Sequence, residues 1–320
     1  MLPTQVRLII VSGGDIASTN QADVLLSNYS WFRMDDVEGL PSYSLGQIRM
    51  WIHDDGVLFE DDLDKRWNLA TGETVIEAIF PSRHSAKSGK PSLTLHPIGV
   101  PQSDFDEVPL YGGRGGSAPP PSPRISSWWR NLISMVEGTD LEQQFDLSLE
   151  VTHHGPWINV PSIFVEVGST EKTWGHLGAA NILAELIAKG LGLSDGQEIG
   201  VWDEQKNAGE PVIITLGGGH YSPRANKLAL NEGIWIGHML AAYAMPFIKP
   251  EDENSIPGGN WKNSLNVAIE STKRAFPNGN IICSMDRKAF KGWQKQAIRT
   301  HLAELDIPLL KSKSILELII

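Results

Sequence analysis

Histidines follow four separate apolar runs of this sequence, and this recurrence is the feature that could perform chemistry. Each run leads into a polar loop, and an α/β sheet presents its reactive side chains in loops beyond the carboxyl ends of its strands. If these strand ends converge, the imidazoles face a common cleft, where they could bind a metal ion or move protons. The histidines concerned are His84, His96, His153, His154 and His220.

Glu166 is the one charged residue in the apolar run from Ile163 to Val167. A charge inside such a run is costly unless another group pairs with it. A carboxylate that meets the histidines would complete a metal site or an acid/base site. The alternative is that strand ends meet loops, in which His and Glu are ordinary residues.

His153 and His154 end a segment in which apolar and polar residues alternate from Phe145 to Thr152. The alternation predicts a strand with one buried face and with Glu150 on its polar face. Neighbouring side chains of an extended segment point in opposite directions, so the two histidines should not share one metal ion. We expect one of them to bind metal or substrate. The other should pack in the interior or contact the residues that bind the ligand.

The residue types that could bind a metal ion or act as a nucleophile are limited in this sequence. The single cysteine, Cys283, excludes an internal disulfide and a thiolate-cluster zinc site, so a metal must be held by His, Asp and Glu. Neither an H-E-x-x-H helix motif nor a G-x-S-x-G nucleophile motif is present. This disfavours a serine hydrolase and favours water that is activated by zinc or by a His/Glu pair.

Basic residues stand beside two of the histidines, although the formal net charge of the chain is −11. That charge argues against a protein that coats nucleic acid, but a local cluster of cations suggests a substrate with phosphate groups. Chance placement of four cations is the alternative. The cations are Arg83, Lys87 and Lys90 near His84, and Arg224 near His220. Gly217, Gly218 and Gly219, just before His220, would let the backbone approach a ligand and point N–H groups at an anion.

The elements that would position these residues alternate between strands and helices along 320 residues, of which 41% are hydrophobic. This pattern predicts an α/β fold: a three-layer α/β/α core around a mostly buried, mixed or parallel sheet. We expect His238 to be a hydrogen-bonded core histidine rather than a ligand. Strands are predicted at 6–11, 74–80, 163–167, 211–216 and 281–285, and helices at 16–26, 126–137, 173–189, 234–240 and 293–305.

A segment rich in glycine and proline, residues 101–125, interrupts the chain, and we predict a flexible insertion that buries no apolar surface. The remainder should form a single α/β unit over residues 1–320, with a smaller inserted α+β subdomain within residues 75–150. No apolar run approaches the roughly 18 residues of a membrane span. We therefore expect no membrane association and a cytoplasmic location.

Four motifs of the chain resemble those of the D-aminoacyl-tRNA deacylases of the archaeal and plant type. They lie at 82–96, 152–156, 164–171 and 217–224, and the segments 15–18 and 288–292 are also similar. The resemblance implies hydrolysis of the ester between a D-amino acid and the 3′-terminal ribose of tRNA, with zinc as cofactor. It also implies a phosphorylase/hydrolase-like fold and a monomer that binds the acceptor end of tRNA. Ser222, Trp157 and the long 101–125 insertion depart from the family pattern.

Our hypothesis for this reaction assigns roles to the residues above. The predicted catalytic residues are His154, Glu166, His220 and His84, and the predicted metal ligands are His96, His153, His154, Glu166 and His220. The predicted substrate-binding residues are Arg83, Lys87, Lys90, Gly217, Gly218, Gly219 and Arg224. Two rival functions remain: a zinc carboxypeptidase or amidohydrolase on a related fold, and a non-catalytic RNA-binding protein.

Overall fold

The computed structural model describes residues 3–54, 56–252 and 256–319 of the chain. Its strands are β1 Gln5–Ser12, β2 Phe32–Arg33, β3 Ser42–Leu45, β4 Ile48–His53, β5 Thr74–Ser85, β6 Ser92–His96, β7 Asp146–Leu149, β8 Ser162–Ser169, β9 Pro211–Leu216, β10 Trp235–Leu240 and β11 Asn280–Met285. Its α-helices are α1 Ile16–Asn28, α2 Leu63–Thr71, α3 Ile125–Val136, α4 Leu141–Gln144, α5 Glu171–Trp174, α6 Leu177–Gly190, α7 Pro223–Ala229, α8 Trp261–Ala275, α9 Gly292–Glu304 and α10 Ser312–Leu316.

Eight strands form a mixed, mostly parallel sheet in the order β2-β3-β4-β1-β5-β8-β6-β7. Strands β4, β1, β5 and β8 run parallel, whereas β6 runs antiparallel to β8. The predicted α/β fold with a mixed sheet is therefore confirmed. Because β6 is reversed, His96 at its end lies opposite Phe164 within β8. The histidines thus meet over a face of the sheet, not only beyond the carboxyl ends of its strands as predicted.

Helices cover both faces of the large sheet. On one face, α1, α3 and α6 pack against the strands in the main hydrophobic core. On the other face, Leu63 and Trp67 of α2 pack against apolar residues of β1, β5 and β8. Strands buried on both sides are apolar at consecutive positions, as in the run from Leu8 to Val11. Asp15 caps α1, since its carboxylate accepts the N–H groups of Ala17 and Ser18.

A second sheet, of three parallel strands in the order β10-β9-β11, was not predicted. One of its faces contributes Ile213, Ile236 and Ile282 to the main core, and its other face packs against α8 and α9. The predicted helix at 234–240 is wrong, because residues 235–240 form β10. A strand that is buried on both faces has no period-two pattern, so its apolar run does not differ from that of a buried helix.

His238 on β10 is a core histidine, as predicted. Its side chain is fully buried, and its ring lies 2.8 Å from Thr152 Oγ1 and 3.1 Å from the carbonyl oxygen of Pro119. Both ring nitrogens therefore have partners, and His238 makes no contact that would suggest a ligand role.

The prediction that residues 101–125 bury no apolar surface is wrong for the second half of this segment. Ala118 and the three prolines that follow it are buried. Proline has little backbone freedom to lose, so a proline-rich stretch can be packed at low entropic cost. The first half also contacts the site region, because the Gly155 N–H donates to the carbonyl oxygen of Tyr111 at 3.0 Å.

Within the described ranges, no helix combines the length and the apolar character that crossing a lipid bilayer requires.

Candidate active site

His96, His153 and His154 form the first group of candidate metal ligands, with ligand atoms within 4.8 Å of one another. The Nδ1 atom of each ring lies against a backbone carbonyl oxygen. The acceptors are, in that order, Pro97 at 3.0 Å, Val151 at 2.7 Å and Gly155 at 2.6 Å. A carbonyl oxygen can only accept, so Nδ1 carries the proton and Nε2 keeps its lone pair. Metal-binding histidines are commonly oriented by such a contact.

The expectation that the side chains of His153 and His154 point in opposite directions is wrong. Their ring centroids are 4.3 Å apart, because His154 has a left-handed backbone with φ of 46° that breaks the alternation of an extended chain. The Gly99 N–H lies 3.3 Å and 2.9 Å from the carbonyl oxygens of the two histidines and fixes this turn. Glycine is required at position 155, since the carbonyl of Leu58 occupies the space of a Cβ atom there.

His84, Glu150 and His220 form the second group. Glu150 Oε2 lies 2.8 Å from His220 Nε2, and Glu150 Oε1 lies 3.3 Å from His84 Nδ1. The remaining nitrogens face tyrosine hydroxyls: His84 Nε2 is 3.3 Å from Tyr221 and His220 Nδ1 is 3.5 Å from Tyr243. In this group side chains, not backbone carbonyls, hold the imidazoles. This arrangement suits proton transfer.

Glu150 is the functional residue that the sequence analysis missed. The alternation of residues 145–152 placed it on a polar face, yet its side chain has 0% exposure. The chain after β7 has a neighbour on both sides. The Glu150 N–H donates to the carbonyl oxygen of Leu95 at 3.0 Å, and the Val151 N–H donates to the carbonyl oxygen of His220 at 3.0 Å. The available signal was an acidic residue three positions before the histidine pair.

Glu166 connects the two groups. Its Oε2 atom lies 3.4 Å from His96 Nε2 and 3.5 Å from His84 Nδ1. Glu150 makes a second connection, since its Oε2 is 3.8 Å from His153 Nε2. The structure therefore brings all five predicted histidines and Glu166 into one cluster, to which Glu150 is added.

Burial and neighbouring charges set the protonation of the cluster. Burial, reinforced by nearby imidazoles, lowers the pKa of His154 to about 3 and the pKa of His153 well below its usual value. Both rings are therefore neutral at pH 7, which is the form that binds metal. Burial opposes the protonation of His96, but Glu166 outweighs it and raises the pKa of His96. Burial would raise the pKa of Glu166, but His96 and His84 lower it.

Three predicted cations lie at the carboxyl end of β5. Arg83 is exposed and its guanidinium lies 5.0 Å from the ring centroid of Trp174, whose indole N–H donates to the carbonyl oxygen of His84 at 2.7 Å. Lys87 and Lys90 are exposed in the loop that follows this strand. All three cations thus lie on the exposed strand end and loop around His84.

Arg224, the fourth predicted cation, lies in the first turn of α7, four residues after His220. Its Nη1 donates to Ser312 Oγ at 3.0 Å, and its Nη2 is 4.0 Å from Asp286 Oδ1. Arg224 therefore uses part of its hydrogen-bonding capacity to link α7 to other elements. It is less available to a substrate than the exposed Lys87 and Lys90 are.

The three glycines before His220 differ from one another. Gly217, with φ of 96°, donates its N–H to the carbonyl oxygen of Leu240 at 2.7 Å, and a Cβ atom here would lie 2.8 Å from Ala289 Cβ. Its N–H is therefore not available to a ligand. At Gly218 and Gly219 no atom of the described chain lies within 4 Å of a Cβ position, so the backbone there faces open space.

Comparison with known proteins gives consistent matches along the chain. A model of the D-aminoacyl-tRNA deacylase family matches residues 71–310. The chain is 44% identical over 308 residues to a D-aminoacyl-tRNA deacylase of Arabidopsis thaliana, which covers 94% of this chain and 97% of that protein. It is 32% identical to a D-aminoacyl-tRNA deacylase of Thermococcus kodakarensis, over 95% of this chain and 99% of that protein.

A solved structure is also similar over nearly the whole chain. The crystal structure of a conserved protein of unknown function aligns with a TM-score of 0.76 and 26% identity, covering 98% of this chain and 97% of that one. The residues that the family model matches include the five histidines and both glutamates of the cluster.

Proposed function

This chain belongs to the D-aminoacyl-tRNA deacylase family, and we propose that it hydrolyses the ester bond of D-aminoacyl-tRNA, releasing the free D-amino acid and the tRNA. The observation that carries this proposal is that the family match contains a partly buried cluster of five histidines and two glutamates. Such a cluster has both the metal-binding and the proton-accepting groups that ester hydrolysis by water needs. The reaction would recycle mischarged tRNA.

We propose zinc as the cofactor, held by the Nε2 atoms of His96, His153 and His154 with Glu166 as a further ligand. Neutral imidazoles and a carboxylate are a donor set that zinc accepts. The buried Nε2 of His96 makes no hydrogen bond to any described residue, which is consistent with a ligand atom. When bound, zinc would supply Lewis-acid activation of the attacking water.

We assign the proton transfers to His220. With its Nε2–H donating to Glu150, its Nδ1 keeps a lone pair, and its 34% exposed side chain can reach a substrate. Nδ1 would accept a proton from water during attack on the ester carbonyl. The same atom would then return the proton to the departing ribose oxygen. Glu150 would hold the ring in the required tautomer and stabilise its charged form, and His84 would fix Glu150 from the other side.

The carbonyl oxygen becomes negatively charged during attack, and the triple-glycine loop is the proposed source of donors for it. The Gly217 N–H is already engaged, which leaves Gly218 and Gly219 for this role. One such donor contributes roughly 3 kcal/mol in well-studied hydrolases.

Phosphate groups of the tRNA acceptor end are the proposed partners of Arg83, Lys87, Lys90 and Arg224. The first three are exposed beside His84, in a chain whose net charge is −11. Such a local cluster can bind a phosphodiester backbone while the acidic remainder of the surface repels it. Because tRNA is the proposed substrate, we place the activity in the cytoplasm, and we expect a monomer.

Deacylation of tRNAs charged with the D- and the L-form of one amino acid tests this proposal. We expect release of the D-amino acid, little release of the L-amino acid, and loss of activity with a chelator that zinc restores. His220→Ala should abolish turnover, whereas the core variant His238→Gln should remain active and controls for the loss of a buried histidine. Equal release from both tRNAs, or full activity in His220→Ala, would contradict the proposal.

A further inference from the structure

Tyr243 is a largely exposed aromatic residue in contact with the cluster. It lies on the short 3₁₀ turn Ala242–Ala244 after β10, where its side chain is 56% exposed. Its hydroxyl is nonetheless 3.5 Å from His220 Nδ1. The polar end of the ring therefore points at the site while most of the ring faces solvent.

The other aromatic residues that contact the site histidines do not offer a comparable surface. Phe164 is buried between β-sheet neighbours, with 1% exposure. One face of Trp174 is covered by the guanidinium of Arg83 at 5.0 Å. The half-buried ring of Tyr221 meets both His84 and His220 at steep angles. Among the described aromatic residues that contact the site histidines, Tyr243 is therefore the most exposed.

The backbone beside Tyr243 is open. The Ala242 N–H donates to the carbonyl oxygen of Gly218 at 3.0 Å, which holds the tyrosine turn against the triple-glycine loop. No described atom lies within 4 Å of a Cβ position at Gly218 or Gly219. Open space therefore lies at Gly218 and Gly219, beside the Tyr243 turn and next to His220, and we call this space the recess.

Two exposed cations lie on a loop that packs beside the triple-glycine segment. The loop from Asp286 to Phe290 packs on Gly217, where a Cβ atom would lie 2.8 Å from Phe290 Cε2. Arg287 and Lys288, on the same loop, are exposed. An anion attached to a group in the recess would meet positive charge here.

We propose that this recess binds the 3′-terminal nucleoside of the tRNA, with its base stacked on Tyr243 and its phosphate directed to Arg287 and Lys288. The inference rests on the proposed function. The base is attached to the same ribose that carries the scissile ester, so it must lie within one nucleoside of His220. Stacking on an aromatic ring accepts any base, which suits a site that has to read only the end of the chain.

Kinetics with two substrates test the subsite: a D-aminoacyl-tRNA and the methyl ester of the same D-amino acid, which lacks a nucleoside. Tyr243→Ala should lower the ratio of kcat/KM for tRNA to kcat/KM for methyl ester about tenfold, mainly through KM for tRNA. Tenfold corresponds to about 1.4 kcal/mol, within the range of base stacking on an aromatic side chain. Tyr243→Phe keeps the ring and should keep the ratio.

Phe32→Ala is the matched control, because Phe32 is 77% exposed on β2, four strands from β5 in the sheet order and thus about 19 Å away. An unchanged ratio in Tyr243→Ala would overturn the subsite. An equal fall in Tyr243→Phe would also overturn it, because the hydroxyl contact with His220 and not the ring would then matter.

Replacement of both Arg287 and Lys288 by serine provides a second test that does not depend on the folding of Tyr243→Ala. Both side chains are exposed, and the loss of their charges should lower the same ratio. A double variant with an unchanged ratio would count against the subsite. Failure of the proposed function has a different signature, since the wild-type protein would then not hydrolyse D-aminoacyl-tRNA at all.

Discussion

Replacement of Glu150 by glutamine tests the assignment of acid/base chemistry to the second histidine group. The amide has the shape of the carboxylate and can still accept a hydrogen bond from His220 Nε2, now 2.8 Å from Glu150 Oε2. What the substitution removes is the negative charge. The imidazole of His220 becomes positively charged when it accepts a proton from water, so the variant should lose stabilisation in the transition state and not in substrate binding.

The size of the loss follows from the distances. Opposite unit charges about 4 Å apart interact by about 4 kcal/mol at an effective dielectric constant of about 20. Each 1.36 kcal/mol is about tenfold in rate, so the predicted fall in kcat is about a thousandfold. The KM for D-aminoacyl-tRNA should stay close to the wild-type value.

Single-turnover deacylation of D-aminoacyl-tRNA by the zinc-loaded protein measures this effect. Glu270→Gln is the control, since Glu270 is an exposed residue of α8 that pairs with Lys273 at 2.9 Å. Circular dichroism and zinc content establish that Glu150→Gln is folded and loaded. A folded, loaded variant that keeps kcat within a few-fold of wild type would refute the reasoning, and so would a loss confined to KM.

Three further predictions concern the metal ligands, the glycine loop and the core histidine. His96→Ala should purify with less zinc than wild type by elemental analysis, and an unchanged content would contradict its ligand role. Gly217→Ala should lower Tm more than Gly196→Ala, because both positions have positive φ but only the Gly217 Cβ would meet neighbouring side chains. The backbone strain of a non-glycine residue at positive φ is worth about 1–3 kcal/mol at either position. Equal losses of Tm in the two variants would contradict the side-chain contact at Gly217. Burial lowers the pKa of His238 to about 3 in the folded protein, whereas its pKa in the unfolded chain is about 6.5. Between these values the unfolded chain binds a proton that the folded protein does not. The contribution of neutral His238 to stability is therefore complete above pH 6.5 and falls by up to about 1.4 kcal/mol per pH unit as the pH drops toward 3. His238→Gln should therefore flatten the decline in Tm between pH 7 and pH 5, and parallel curves would contradict this.

Part of the site could be predicted because it depends on local patterns. A polar residue at the end of an apolar run is visible without coordinates, and this signal found His84, His96 and His220. The same reasoning failed for Glu150, since the pattern before His153 reports which residues alternate but not what covers the polar face. The Glu150 carboxylate on that face meets the imidazoles of His84 and His220, which lie 66 and 70 positions away along the chain.

The sequence by itself determined which donor types are available. With one cysteine in 320 residues, a metal site has to use imidazole and carboxylate, whatever the fold. The tertiary structure decided what each donor can do. The free nitrogen of each imidazole depends on the group that occupies the other nitrogen. In the first group that group is a backbone carbonyl one or two residues away, whereas His220 is held by a carboxylate 70 positions away. The pairing of His153 with His154 likewise depends on one positive φ at His154, which no period in the surrounding residues encodes.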